Sequence, residues 1–439
     1  MRRHAKRIMA VSMAFALLAS GCSNKAPEPS AEGKAAKAAE PKQKVKIRMV
    51  SWSSASSFKM QKSVVDMYSQ KNPDIEVIFE SVPEQYTEKL LTQIAAGDAP
   101  DIIMAGNDQL SPFAEKGGLT DLDEFVKGPN GINTADYFEN ILSFGKYKGK
   151  LYSMPKDWTN MAILYNKKMF DDANIPYPKA GWTWDEFYSI AKKLTIKDGN
   201  KTTQWGAKFN GADVSKIQPL MLAYSDGLVQ TDGKKYEGYM NSDGMVKAMQ
   251  FYRDAHFTDG ISPGSSDTQA LKGVDLFAAG KVAMSMDGRW QIETYKKDPN
   301  FKFGSVTLPV GPKGPANVVF YGGWGIYSKS KNKEAAWEVL KFISGPEGAR
   351  VFADYGFSAH KLVAEEKGQM TDPNYKAFID DMPNNKPTPQ YSDPLYTKTG
   401  LPPMQQVIEK ILLPGDVDVR KELNEAAKTA DANLKRENK

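Results

Sequence analysis

The chain has 439 residues, of which 41% are apolar and 25% charged, a globular composition long enough for two or three domains. Its formal charge of +5 is concentrated at the start, where Arg2, Arg3, Lys6 and Arg7 stand without an acid. The rest of the chain is then near +1, which excludes the electrostatic footprint of a nucleic-acid partner.

The N-terminal basic residues are followed by an apolar run, Ile8 to Leu18, of signal-peptide core length and too short to span a bilayer comfortably. Small residues Ala19, Ser20 and Gly21 then precede Cys22, the only cysteine. This pattern resembles a bacterial lipoprotein signal over residues 1–21, with Cys22 lipidated. An ordinary secretory leader that happens to hold a cysteine is the alternative. With no second cysteine there is no disulfide, so an exported body must rest on packing alone. Residues 22–44 are rich in Ala, Lys, Pro and Glu. Such a segment cannot bury enough surface to fold and reads as a disordered tether, with a reach on the order of 25–40 Å.

The body opens with an alternating strand, Val45–Trp52. A helix through Val64, Val65 and Tyr68 stops at Asn72-Pro73. A second strand alternates Ile75, Val77 and Phe79. A second helix places Tyr86, Leu90 and Ile94 on one face, with Gly97 as its cap, and Asp101–Ala105 is a third, apolar strand. Strand–helix repeats at this spacing predict a parallel sheet covered by helices on both faces. Ligands bind such sheets beyond the carboxyl ends of the strands, where Trp52, Asn107 and Asp108 stand.

Further on, Gly149-Lys150 marks a turn and Ala162–Tyr165 a strand. Thr183-Trp184-Asp185-Glu186 is a capping box with Trp182 and Phe187 as its hydrophobic staple. Residues 204–208, 281–286 and 303–308 read as strands. Residues 213–229 and 243–257 read as helices, and Val274–Ala279 as a helix end stopped by Gly280. Val318–Phe320 and Gly325–Tyr327 read as two strands with a turn between them. Helices are expected over 333–343, 344–357, 402–413 and 416–436, with an irregular proline-rich stretch over 383–394.

The chain offers no metal constellation, phosphate loop or nucleophile elbow, so no cofactor is expected. Asp and Glu are plentiful, and a carboxylate pair for glycoside hydrolysis stays open. The distinctive feature is aromatic residues beside turn-forming and polar ones: Trp158 with Asn160, Trp205, Asp287 through Arg289 and Trp290, and Tyr321-Gly322-Gly323-Trp324. A pyranose ring has an apolar face that stacks on an aromatic ring and a hydroxyl rim that takes hydrogen bonds. Glycine at Gly323 would let the backbone approach a ligand closely. Trp182, Trp184 and Trp337 read as core.

Several stretches in one order carry a resemblance. They are Val45–Trp52; Leu90–Met104; Phe113–Leu122; Gly149-Lys150-Leu151-Tyr152-Ser153-Met154-Pro155; Leu164-Tyr165-Asn166-Lys167; and Trp182–Phe187. Phe277–Met284, Gly323-Trp324-Gly325-Ile326 and Ala335–Ile343 complete the series. Together they resemble the extracellular solute-binding proteins of ABC importers, the sugar-binding family that includes maltose-binding protein. The resemblance implies an α/β fold of two lobes with a hinge between them, lobe I taking 45–154 and 310–345 and lobe II taking 155–309 and 346–439. It implies a monomer that binds a carbohydrate without enzymatic turnover and delivers it to the transmembrane subunits of a permease. It also implies a polar sugar contact at Asn107-Asp108 and an aromatic one within Asp287–Trp290. Arg289 replaces a proline of maltose-binding protein, and residues 383–400 differ, so the sugar itself is not named. A lipid-anchored glycoside hydrolase, or a sensor or adhesin using the same cleft, would share these features.

Overall fold

A computed structural model describes residues 44–53, 55–199, 201–209, 211–386, 388–389 and 393–439. The expected leader, Cys22 and nearly all of the tether lie outside the described residues. Strands β1 (Val45–Ser51), β2 (Ile75–Ser81) and β3 (Ile102–Met104) alternate with helices Ala55–Lys71 and Tyr86–Ala96. They pair in parallel in the order β2-β1-β3. Tyr86, Leu90 and Ile94 are buried, and Gly97 closes their helix at φ +79°, a conformation that costs glycine little. A short hairpin follows, β4 (Lys146–Tyr147) and β5 (Lys150–Leu151). Its two turn residues, Lys148 and Gly149, are both left-handed, as a two-residue hairpin turn requires.

The remaining strands are β6 (Met154–Thr159), β7 (Met161–Asn166), β8 (Ile196–Asp198), β9 (Lys201–Lys208), β10 (Val282–Gly288), β11 (Phe303–Val306) and β12 (Phe320–Ile326). They complete two five-stranded sheets, β2-β1-β3-β12-β6 and β11-β7-β10-β9-β8. Both sheets are mixed, which corrects the parallel expectation. Parallel neighbours need a crossover between consecutive strands, and β1 to β3 have one. β12 arrives instead from the other sheet and runs antiparallel to both β3 and β6.

Three further differences have local causes. The expected turn at 321–324 is the middle of β12, because Gly322, Gly323 and Trp324 pair with β6 across a bulge. Val274–Ala279 is a set of turns, in which the Asp275 side chain accepts from the Phe277 and Ala278 amides and so competes with a helix. The expected boundary between 154 and 155 falls inside a strand, because Pro155 is in register with Gly323 of β12. The proline lies in β6 at the sheet edge, where a strand tolerates proline, and the chain passes between sheets at Asn160. The capping box is formed: the Glu186 amide donates to Thr183 Oγ1 at 3.2 Å and the Thr183 amide to Glu186 Oε2 at 2.6 Å. Trp182 and Phe187 meet edge to face at 5.7 Å.

Helix Pro346–Phe352 packs against helix Ala55–Lys71 and β6. Beyond it, Phe357 and Trp158 exchange backbone hydrogen bonds of 2.8 and 3.1 Å. This stretch therefore lies on the first sheet rather than with the second. Helices Leu401–Ile411 and Val419–Glu437 join the core of the second. No helix among the described residues is long and apolar enough to cross a membrane.

Candidate functional site

A cleft of about 510 Å³ is lined from both sheets, within the range of small-molecule sites. The first sheet contributes Trp52 after β1, Asn107, Asp108 and Gln109 after β3, Lys156 to Thr159 from β6, and Phe320 to Gly322 from β12. The second contributes Ser215 and Trp290. Helix residues Met60 and Gln61, with Tyr355 and Gly356, complete the wall.

Six of the expected site residues therefore come together: Trp52, Asn107, Asp108, Trp158, Trp290 and Tyr321. Their faces differ. Trp52 stands edge-on to Tyr86 at 5.4 Å and keeps part of its surface open. Trp290 is 37% exposed, with the Lys216 ammonium 5.8 Å from its ring. Trp158 is buried, gives its indole N–H to Ser358 O at 3.2 Å and lies against Phe357 at 5.0 Å. Tyr321 is buried and gives its hydroxyl to Ser153 O at 3.1 Å. Asn107 clamps β12: its Nδ2 donates to Val319 O and its Oδ1 accepts from the Tyr321 amide, each at 2.7 Å. Asp108 is partly exposed, and its carboxyl is pushed up to about 6, first by burial and then by the charge of Asp213.

The other six expected residues stay out of the lining, and each is a correction. Trp324 is fully buried in the first core, edge to face with Phe79 at 6.1 Å, because it sits inside a central strand. A Cβ at Gly323 would collide with Ser153 and Tyr321, so this glycine serves close packing rather than ligand approach. Trp205, on β9, is buried in the core. Asn160 is buried at the passage between sheets and donates to Phe378 O at 2.9 Å. Arg289 is buried between Phe357 and Tyr375, 5.2 and 4.7 Å from their rings, and donates to Ala353 O at 2.8 Å. Its burial lowers its pKa. Asp287 is buried beside Trp290, Lys208 and Lys216, its carboxyl raised by burial.

Sequence reasoning missed Tyr355 and the Lys156–Asp157 pair. Tyr355 is 49% exposed and is followed by Gly356, the same aromatic–glycine signature that singled out other positions. Lys156 and Asp157 pair at 2.8 Å with their side chains nearly buried. A Cβ at Gly322 would stand 2.7 Å from Asp157 Oδ1 and 2.9 Å from Lys156 Cε. Among described residues with large exposed apolar side chains, the aromatic ones are Tyr177, Trp290 and Tyr355, and two of the three face this cleft.

Residues 51–350 match the family model described as bacterial extracellular solute-binding protein. The chain belongs to that family. A binding protein of Brucella abortus is 29% identical over 288 residues, which cover 63% of this chain and 66% of that relative. The chain thus spans just under two thirds of the first curated relatives it matches. The diacetylchitobiose binding protein of Streptomyces coelicolor is also 29% identical, over 58% of each chain. Among solved structures, an ABC substrate-binding protein from Listeria monocytogenes in complex with cycloalternan superposes with a TM-score of 0.77 at 26% identity. That match covers 89% of this chain and 99% of the other. This chain has the two-lobed α/β fold of the solute-binding proteins.

Proposed function

We propose that this solute-binding protein captures a carbohydrate in the cleft between its lobes, closes on it and delivers it unchanged to the transmembrane subunits of an ABC permease. The observation that carries this reading is the pairing of exposed aromatic faces, Trp290 and Tyr355, with the polar rim of Asp108, Gln109 and Ser215 in one cleft. Aromatic faces suit the C–H face of a sugar, and the rim suits its hydroxyls. The diacetylchitobiose and cycloalternan of the relatives support the same ligand class.

Sheet membership supports a division in which one lobe takes 44–159 and 320–366 and the other takes 161–306 and 376–439. The open form binds ligand largely on the first lobe, and contacts from Trp290 and Ser215 favour closure. Cys22 carries the lipid, and the tether keeps a monomeric body outside the cytoplasm near its permease. The test is calorimetry of the chain against diacetylchitobiose, cycloalternan, maltotriose and galactobiose, with the sugar recovered and analysed afterwards. Submillimolar binding with intact sugar is expected. Hydrolysed sugar, or no binding by any of the panel, overturns the reading.

A further inference from the structure

The chain crosses between the sheets at Asn160, from β6 to β7, and returns over residues 307–319, from β11 to β12. Hydrogen bonds fasten the chain on either side of each crossing to one lobe or the other. Asn317 is fully buried. Its Nδ2 donates to Met161 O at 2.7 Å and its Oδ1 accepts from the Met161 amide at 3.0 Å, a side-chain copy of a strand pairing. Met161 is the first residue of β7. The Asn317 amide donates to Asn384 O at 3.0 Å, and its carbonyl accepts from the Lys386 amide at 2.8 Å. The Asp381 carboxylate accepts from the side chains of both Asn317 and Asn384. Helix Lys376–Asp380, just before, packs on β7 and β11. Asn317 is therefore fastened to the second lobe.

Two residues later the chain is fastened to the first. Asn107, which follows β3, holds Val319 O and the Tyr321 amide, and Phe320 pairs with Thr159 of β6. One residue in each crossing has its backbone between these attachments: Asn160, between Thr159 and Met161, whose side chain donates to Phe378 O on the second-lobe side, and Val318, between Asn317 and Val319, whose amide donates to Asn317 Oδ1 at 2.9 Å. A hinge is a few element-terminal residues that absorb the change in backbone angles. We propose that Asn317 and Asn107 are opposing clamps that set the pivot of lobe closure at Asn160 and Val318, with Asn317 a positioning residue for closure. This rests on the closure reading above. Because Asn107 also lines the cleft, a ligand that touches it acts on the same clamp.

The test uses the full chain with Cys22→Ser and spin labels at Asp98→Cys and Lys168→Cys, whose native side chains are 86% and 77% exposed on the first and second lobes. Double electron–electron resonance then reads the inter-lobe distance without ligand. Asn317→Ala is expected to widen the distance distribution at least twofold. Asn241→Ala, which removes a 2.8 Å bond to Asn424 inside the second lobe, is expected to leave the width unchanged. A wild-type width in folded Asn317→Ala overturns the proposal. If that variant does not fold, Asn107→Ala decides on the same criterion. The closure reading fails separately, if the mean wild-type distance does not shorten on saturation with a panel sugar that binds.

Discussion

Trp290 stands edge-on to Phe320, ring centroids 5.6 Å apart and planes at 87°. The pair joins the turn after β10 of the second sheet to the start of β12 in the first, so the exposed aromatic beside one sheet is oriented by a residue of the other. Held this way, with Lys216 near its ring, Trp290 presents surface to the cleft at little further entropic cost on binding. Trp290→Ala and Tyr355→Ala are each expected to weaken sugar binding at least tenfold, about 1.4 kcal/mol, with unchanged far-UV circular dichroism. Wild-type affinity in both, measured by calorimetry, would remove the aromatic platform.

Asp108 is expected to give binding a pH dependence. An ionised carboxylate accepts stronger hydrogen bonds from hydroxyls than a protonated one. Affinity should therefore fall as pH drops through about 6, and Asp108→Asn should bind more weakly at pH 7.5 but without this titration. The same shift bears on stability with the opposite sense. A carboxyl whose pKa is raised by folding costs nothing below about pH 4 and progressively more as pH rises to 6. The cost reaches at most about 3 kcal/mol. Asp108→Asn should thus unfold at higher denaturant than wild type at pH 8, with the gap closing at pH 4. A gap independent of pH counts against this account of the carboxyl.

Much of the fold was legible because it is local. The alternation of Ile47 and Met49, the helical face of Tyr86, Leu90 and Ile94, and the capping box at Thr183 each follow from neighbours in sequence. The aromatic–turn signature picked out Trp290, which lines the cleft, and omitted Tyr355, which lines it too. It failed at Trp324 because Gly322 and Gly323 read as a turn, yet they are strand glycines opposite Lys156, Asp157 and Ser153, residues about 170 positions away in the chain. Arg289 and Asn160 misled for the same reason. Their polar groups are spent on Ala353 and Phe378, partners that only the tertiary fold brings near.

Trp324 separates packing from binding. It is fully buried beside Phe79, in the strand that pairs with both β3 and β6. Truncating a buried tryptophan costs about 3–5 kcal/mol through lost burial and the cavity left behind. Trp324→Ala should lower the denaturant midpoint by that measure, while the folded fraction binds sugar as wild type does. A variant with native stability and tenfold weaker binding would return Trp324 to the site.

His256 supplies an acid-side test of the second lobe. It lies at the end of helix Asp243–His256, buried against Tyr252 at 4.9 Å, with Nδ1 3.0 Å from Pro263 O. Burial lowers its pKa to about 4, so the folded chain holds the imidazole neutral while the unfolded chain protonates it near its ordinary pKa, about 6.5. Folding then loses stability as pH falls between those values, by at most about 3 kcal/mol from this group. His256→Phe keeps the aromatic packing and loses the bond to Pro263, so at pH 7.5 it should be less stable by about 1 kcal/mol. It should also lack the acid-side loss, bringing the two stability curves together and then across one another between pH 6 and 4. Denaturant titrations at five pH values measure both slopes. Parallel curves for wild type and variant would show that His256 takes up its proton without unfolding the lobe.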